Sequence, residues 1–225
     1  MGMTAVEKIL ARASGDAEVR AGDIVYPMPD FVIIHDGLIK GTKEELDAYG
    51  IDRLFDPDRV MMVTDHDVVY LNDRAVARGA FNRRAARSWG VRNCYDAGKG
   101  GHGHIFPTER GLLLPGMFYF DNDRHCTNAG GVGALALRVG AEISRVLATG
   151  TTWTLVPQTM RIEISGRLRP GVYGRDLGFH LGKLLRAGDA QVDYRMLEFA
   201  GDIDQFSLAQ RIALCSTPTE VRAIG

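Results

Sequence analysis

Apolar residues along this chain fall into two patterns that take turns. Short runs rich in β-formers, Asp30 to Ile34, Val60 to Val63, Met117 to Phe120 and Met160 to Ile164, read as strands. Elsewhere the apolar positions spread to helical spacing, as in Leu177, Leu181, Leu184 and Leu185, which share one helix face. Helix starts are marked by Thr4 with Glu7, Thr42 with Glu45 and Ser207 with Gln210. Each pair has the capping-box spacing, in which the hydroxyl and the third-position side chain satisfy each other's orphan backbone donors. Gly15 and Gly50 follow the first two segments as stops. In the run Met160 to Ser165, apolar Met160, Ile162 and Ile164 alternate with polar Arg161, Glu163 and Ser165, so one face of this strand is wet and suits a sheet edge. Strands alternating with helices predict an α/β fold of three layers, α/β/α, around a mostly parallel sheet. No repeat or Pro/Ser-rich linker interrupts the pattern, which predicts a single domain over residues 1–225.

A chain of 225 residues that is 45% apolar can bury a sizeable core. Its charges balance, 27 Lys plus Arg against 28 Asp plus Glu, so no electrostatic footprint of a nucleic-acid or anionic-membrane partner is present and binding falls to a local site. Cys94, Cys126 and Cys215 are too few and too scattered for a disulfide framework, which points to a reducing compartment. The opening segment is charged and amphipathic rather than a secretory signal, and no apolar run reaches the length of a membrane span. The expected location is the cytoplasm.

Candidate chemistry gathers where strands end. The run Asp121 to Ala134, DNDRHCTNAGGVGA, follows the strand-like GMFYF and is expected to open a helix. Open α/β sheets hold ligands beyond the carboxyl ends of their strands, and a helix N-terminus offers unpaired N–H groups to an anion. Asp123, Arg124, His125, Cys126, Thr127 and Asn128 are therefore the first candidates. Other runs end alike: VMMV leads to Asp65, His66 and Asp67, FVII to His35 and Asp36, and DYRML to Glu198. An Asp beside a His orients the imidazole and stabilises its charged form, making a proton donor or acceptor near neutral pH. One such pair is an ordinary turn or cap, whereas several on one rim of a parallel sheet make an acid/base site.

Two other chemistries fit the pattern less well. Gly131-Val132-Gly133 with Ala136 matches the loose GxGxxA dinucleotide motif, but about ten residues separate Phe120 from Gly131, where a Rossmann loop follows its strand at once. His66, His102, His104, His125 and Cys126 are metal-ligand types, yet only His102 with His104, in the glycine-rich loop Gly98 to His104, and His125 with Cys126 are close in sequence. No metal ligand set is expected within the chain.

Taken in order, the segments carry a resemblance. AVEKIL at Ala5 to Leu10, AGDIV at Ala21 to Val25 and FDPDRVMMVTDH at Phe55 to His66 are followed by YDAGKGGHGHIFPTERGLLLPG at Tyr95 to Gly116 and by the DRHCTNAGGVGA segment. ATGTTWTLVPQTMRI at Ala148 to Ile162, GVYGRD at Gly171 to Asp176 and MLEFAGD at Met196 to Asp202 complete the series. Together they resemble the N-terminal part of the aconitase superfamily, in particular the large subunits of 3-isopropylmalate dehydratase and close relatives, over essentially the whole chain. The resemblance implies a hydro-lyase acting on a hydroxy-dicarboxylate or tricarboxylate, with a [4Fe-4S] cluster whose one non-cysteine iron is a Lewis acid. It implies that Asp65 and His66 are an acid pair at the departing hydroxyl, and that His104, Asp123, His125 and Glu198 surround the cluster and its bound oxygen. His35, Asp36, Arg124 and Asn128 take substrate-contacting positions.

Two departures from the family pattern change the expectation. Where the family commonly has Asp-Ser-His-Thr, this chain has Asp123-Arg124-His125-Cys126, replacing a small hydroxyl with a guanidinium able to grip a carboxylate. None of the three cysteines matches a cluster ligand of the family. The resemblance thus predicts an N-terminal portion without a cluster of its own, its site completed by the remaining large-subunit region and by a small subunit carrying the catalytic serine. The alternatives are a non-catalytic carboxylate-binding or assembly module of the same fold, and a metal hydrolase built on the Asp and His residues.

Overall fold

Every residue of the VMMV run is buried, and so are Val32 to His35, which is the signature of strands covered on both faces. The computed structural model, which describes residues 2–187 and 191–225, shows these runs pairing into one sheet. In chain order its elements are α1 (Ala5–Ser14), β1 (Ile24–Val25), β2 (Phe31–His35), α2 (Asp36–Ala48), β3 (Val60–Val63), α3 (Asp73–Trp89) and β4 (Asn93–Tyr95). They continue with α4 (Phe106–Glu109), β5 (Phe118–Asp121), β6 (Leu135–Arg138), α5 (Ile143–Thr149), β7 (Thr154–Leu155) and β8 (Thr159–Ile164), then α6 (Gly174–Ala187), β9 (Met196–Gly201), α7 (Leu208–Cys215) and α8 (Thr217–Glu220).

Five strands, in the order β4-β3-β2-β5-β6, form a parallel sheet. The chain first adds strands on one side of β2 and then returns to the other. The order therefore reverses between β2 and β5, and there the connections leave a crevice beyond the strand ends. Register places His35 opposite Val63 and Ile33 opposite Asp121, so the ends of β2, β3 and β5 lie on one rim.

Alternation divides the core. Val32, Ile34, Met62, Phe118 and Phe120 face one side and pack with Leu10 of α1, Ile39 and Leu46 of α2, Trp89 of α3 and Leu147 of α5. Ile33, Met61, Val63 and Tyr119 face the other, under Leu113 and a 3-10 segment, Arg124–Val132, that contributes Cys126 and Ala129. Each fully buried side chain of this size contributes roughly 1.5–3 kcal/mol. Two parallel strands, β8 and β9, form a further small sheet over a separate apolar cluster of Leu181, Leu185, Val192 and Leu197. β8 alternates half-buried and exposed positions, as its sequence requires.

Capping boxes form at Thr4 with Glu7 and at Ser207 with Gln210, and Gly15 closes α1 in the left-handed region at φ 74°. The third expected box does not form. α2 begins at Asp36, directly after β2, so Thr42 lies inside the helix and is buried, while Glu45 accepts from the Ser144 hydroxyl at 2.8 Å. The long helix expected to open from the Asp121 to Ala134 run is likewise absent: the Arg124–Val132 segment is 3-10, and Leu135 to Arg138 are strand β6. A short apolar run serves a buried strand as well as a helix, and here pairing with β5 decides. On α6 the buried stripe runs through Leu181 and Leu185, and Leu184 is 54% exposed.

Candidate active site

Rim residues of β2, β3 and β5, with the loop after β4, bring five of the six histidines into one chain of rings. Centroids lie 6.0 Å apart for His35 and His66, 4.5 Å for His35 and His104, 5.7 Å for His104 and His125, and 5.4 Å for His102 and His104. The imidazoles are separated by carboxylates. His35 Nδ1 is 2.9 Å from Asp65 Oδ2, and its Nε2 is 3.3 Å from Asp121 Oδ1. His66 Nδ1 stands between Asp36 Oδ1 at 2.9 Å and Asp65 Oδ1 at 2.8 Å. His104 Nε2 is 3.2 Å from Asp123 Oδ1, which is also 2.8 Å from His125 Nδ1.

Backbone groups fix these carboxylates. Gly103 N–H donates to Asp65 Oδ2 at 2.8 Å, Asp67 N–H to Asp36 Oδ2 at 3.0 Å, and Asp123 N–H to Asp121 Oδ1 at 2.8 Å. The His35 N–H donates to Asn122 Oδ1 at 2.9 Å. Gly103 is needed where its loop crosses, since a Cβ there would stand 2.3 Å from His35 Cε1 and 2.7 Å from Asp65 Oδ2.

These surroundings split the histidines electrostatically. Burial pulls the His35 pKa down, but the Asp121 and Asp65 carboxylates on its two sides outweigh burial and hold it at about 10. Burial dominates at His104, which falls to about 4 despite the charges of Asp121 and Asp123. For Asp65, burial is overcome by His35 and by the Gly103 N–H, so its carboxyl titrates well below the usual range. Asp123 is lowered too, burial being outweighed by hydrogen bonds from the His125 backbone and ring. A cationic imidazole beside a neutral one is an arrangement that stores and passes protons.

Most of the residues expected from sequence meet here, in different roles. His66 is the accessible member, with 61% of its side chain exposed, and Asp65 stands behind it. His35 and Asp36, expected to touch substrate, are 2% and 1% exposed and instead orient Asp65 and His66. The His125 N–H at the start of the 3-10 segment does not await an anion, because the Asp123 side chain already accepts from it. Arg124 is exposed and lines an open recess of about 560 Å³ together with His35, His66, Asp123 and Arg138. Neither Arg124 nor Arg138 forms an ion pair among the described residues. Asn128 is half-buried on the same segment, its Oδ1 unpartnered. Glu198 is not in the cluster: it sits on β9 and accepts from the Ala5 N–H at 3.2 Å, because β9 belongs to the second sheet. Sequence reasoning placed Asp121 among the polar strand ends but gave it no role, and it left Arg138 unassigned. An acid closing the all-apolar run GMFYF is a signal for the first, and for the second the signal was hidden by reading β6 as helix.

The three thiols do not converge. Cys94, Cys126 and Cys215 lie on β4, in the 3-10 segment and on α7, and no cysteine is among the His, Asp and Glu groups close enough to share an ion in the described residues. Burial raises Cys126 well above its ordinary value and Cys215 to about 12, away from the thiolate an iron–sulfur cluster requires. The residues present do not fit a [4Fe-4S] cluster.

Fold and rim together define an α/β protein with a histidine–carboxylate cluster at the switch point of a parallel sheet. The Aconitase family (aconitate hydratase) pattern matches residues 7–225, and the chain belongs to that family. It is 36% identical over 98% of its length to the 3-isopropylmalate dehydratase large subunit of Halothermothrix orenii, and 36% over 99% to that of Herpetosiphon aurantiacus. It is 35% identical over 98% to the probable methanogen homoaconitase large subunit of Methanothermobacter thermautotrophicus. In each case it covers 52% of the relative, so the chain spans about half the length of the curated relatives it matches.

Proposed function

We propose that this chain is the N-terminal portion of a cytoplasmic hydro-lyase acting on a hydroxy-dicarboxylate such as isopropylmalate. The observation that carries this reading is the recess itself, where two guanidiniums without an ion pair among the described residues, Arg124 and Arg138, stand beside the exposed ring of His66. Guanidiniums bind carboxylates through paired hydrogen bonds, and two of them suit a doubly charged acid. The relatives' names point to the same substrate class.

With Asp36 and Asp65 both accepting at Nδ1, the His66 ring carries its proton there and turns Nε2 to the recess. Nε2 gives a proton to the departing hydroxyl and retrieves it when water adds back. Asp65 and Asp36 stabilise the imidazolium, and His35 holds Asp65 from behind. A base for the carbon-bound proton and the cluster come from further polypeptide, the rest of a large subunit and a small subunit carrying a serine.

The test is the dehydration of isopropylmalate, followed by the absorbance of the unsaturated product. Turnover is expected only when the chain is assembled with both missing parts, and His66→Asn should then lower kcat about 10²- to 10⁴-fold with KM little changed. Wild-type kcat in that variant would overturn the assignment. Carboxylate binding by the isolated chain without turnover in any assembly would favour the binding-module alternative.

A further inference from the structure

Three buried atoms gather at the centre of the site. His35 Nε2, His104 Nδ1 and Asp121 Oδ2 complete no hydrogen bond among the described residues, His35 Nε2 lying 3.3 Å from the other Asp121 oxygen, Oδ1. The three side chains are 2%, 5% and 0% exposed, so water does not solvate them from outside. Buried polar atoms are almost always satisfied, and three orphans converging on one point call for an occupant.

We infer that His35, His104 and Asp121 form a binding site for one divalent transition-metal ion of the zinc or ferrous class. One ligand atom from each lies within 4.8 Å of the others. His35 Nε2 is 3.3 Å from Asp121 Oδ1, and His104 Nδ1 is 3.7 Å from Asp121 Oδ2. Bonds of roughly 2.0–2.2 Å at tetrahedral angles separate ligand atoms by about 3.3–3.6 Å, so each imidazole already stands near liganded distance from an Asp121 oxygen, and the set closes on an ion by a small shift. Two imidazoles and one carboxylate select zinc or ferrous iron over calcium or magnesium, which prefer oxygen.

The outer partners complete the case. A ligating imidazole usually gives its second N–H to a carboxylate, which fixes its tautomer and strengthens it as a ligand. His35 has Asp65 at its other nitrogen, 2.9 Å away, and His104 has Asp123, 3.2 Å away. The two other candidate groups, His35 with Asp65 and His66, and His104 with Asp123 and His125, are less suited. Their contacts at His66 Nδ1 and His125 Nδ1 are committed to carboxylate hydrogen bonds. Of these three groups among the described residues, that of His35, His104 and Asp121 presents an atom without a completed hydrogen bond on every member. This inference needs neither substrate nor turnover, so it stands or falls apart from the hydro-lyase reading.

The experiment titrates the chelator-treated full chain with Zn(II) and Co(II), reading calorimetry, visible absorption and the histidine side-chain resonances. Expected are one ion per chain, cobalt bands of an imidazole- and carboxylate-bound ion, and resonance shifts centred on His35 and His104. His104→Gln and Asp121→Asn should each abolish stoichiometric binding, and Asp65→Asn should weaken it about 10- to 100-fold. His180→Ala, which removes the exposed histidine of α6 outside the cluster, should leave it unchanged. A folded wild-type chain, by circular dichroism, that takes up no ion overturns the inference, as does an ion whose shifts centre on other histidines. Should the variants fail to fold, the wild-type stoichiometry and resonances still decide.

Discussion

At the residue scale, Asp121 has no exposed surface, yet it ties the rim together: it fixes Asp123 through a backbone N–H and faces both His35 and His104. Its charge acts with that of Asp65 to keep the buried His35 ring protonated, because burial alone would act the other way. Asp121→Asn preserves shape and removes that charge. In the metal-free chain the His35 pKa is then expected to fall from about 10 towards its ordinary value, as followed by the ring resonances across a pH titration. A ring that still titrates at the wild-type pH would show that Asp65 suffices. Gly103 tests the packing instead. Gly103→Ala drives a methyl into His35 and Asp65, and overpacking of this kind costs about 1–3 kcal/mol in urea unfolding. It should also displace the His35 and Asp65 resonances, an effect that a loop free to move aside would not produce.

At the element scale, the apolar, β-former-rich strands were the legible ones. β3 runs from Val60 to Val63 as its composition indicated, β2 and β5 are each displaced by one residue at both ends, and β8 starts one residue earlier than read, whereas the short β1, β4 and β7 carried no such run and β6 was read as helix. Capping boxes were legible where a loop precedes the helix and illegible at α2, where a strand runs straight into it and leaves no room for a cap. The 3-10 segment Arg124–Val132 escaped because what holds it is tertiary: α7 lies across it, and a Cβ on Gly131 would stand 2.9 Å from the Ile212 backbone nitrogen. That contact separates two kinds of mutation. Ser207→Ala removes the α7 cap and should cost about 1 kcal/mol in urea unfolding without altering carboxylate binding. Gly131→Ala should cost more, about 1–3 kcal/mol, and should also weaken hydroxy-dicarboxylate binding in calorimetry, since the segment that moves carries Arg124. Equal affinities in the two variants would mean that α7 does not position the recess.

At the scale of the whole molecule, the candidate site was legible as a set of residue types at strand ends, because a parallel sheet brings such ends to one rim whatever lies between them. Their division of labour was not, since exposure separates His66 from His35 and only the fold assigns exposure. Glu198 was misplaced for a similar reason: its run ends like the others but belongs to another sheet. The division also shapes the stability of the metal-free chain. His35 is raised from 6.5 to about 10, so the native state holds the extra proton between those values; its contribution is complete below pH 6.5 and lost as pH rises to about 10. His104 is lowered from 6.5 to about 4, so there the unfolded chain binds the extra proton, and stability present above pH 6.5 is lost as pH falls towards 4. Asp65, lowered from 3.8, adds a further loss below that value. The two histidines oppose each other around one pH, and thermal unfolding followed by circular dichroism in chelator should give a Tm that peaks near pH 6.5. His104→Gln should flatten the acid limb alone, and Asp121→Asn the alkaline limb. A Tm that climbs steadily from pH 6.5 into the alkaline range would mean that His35 is neutral between its carboxylates, and the rim would then hold no stored proton to pass on.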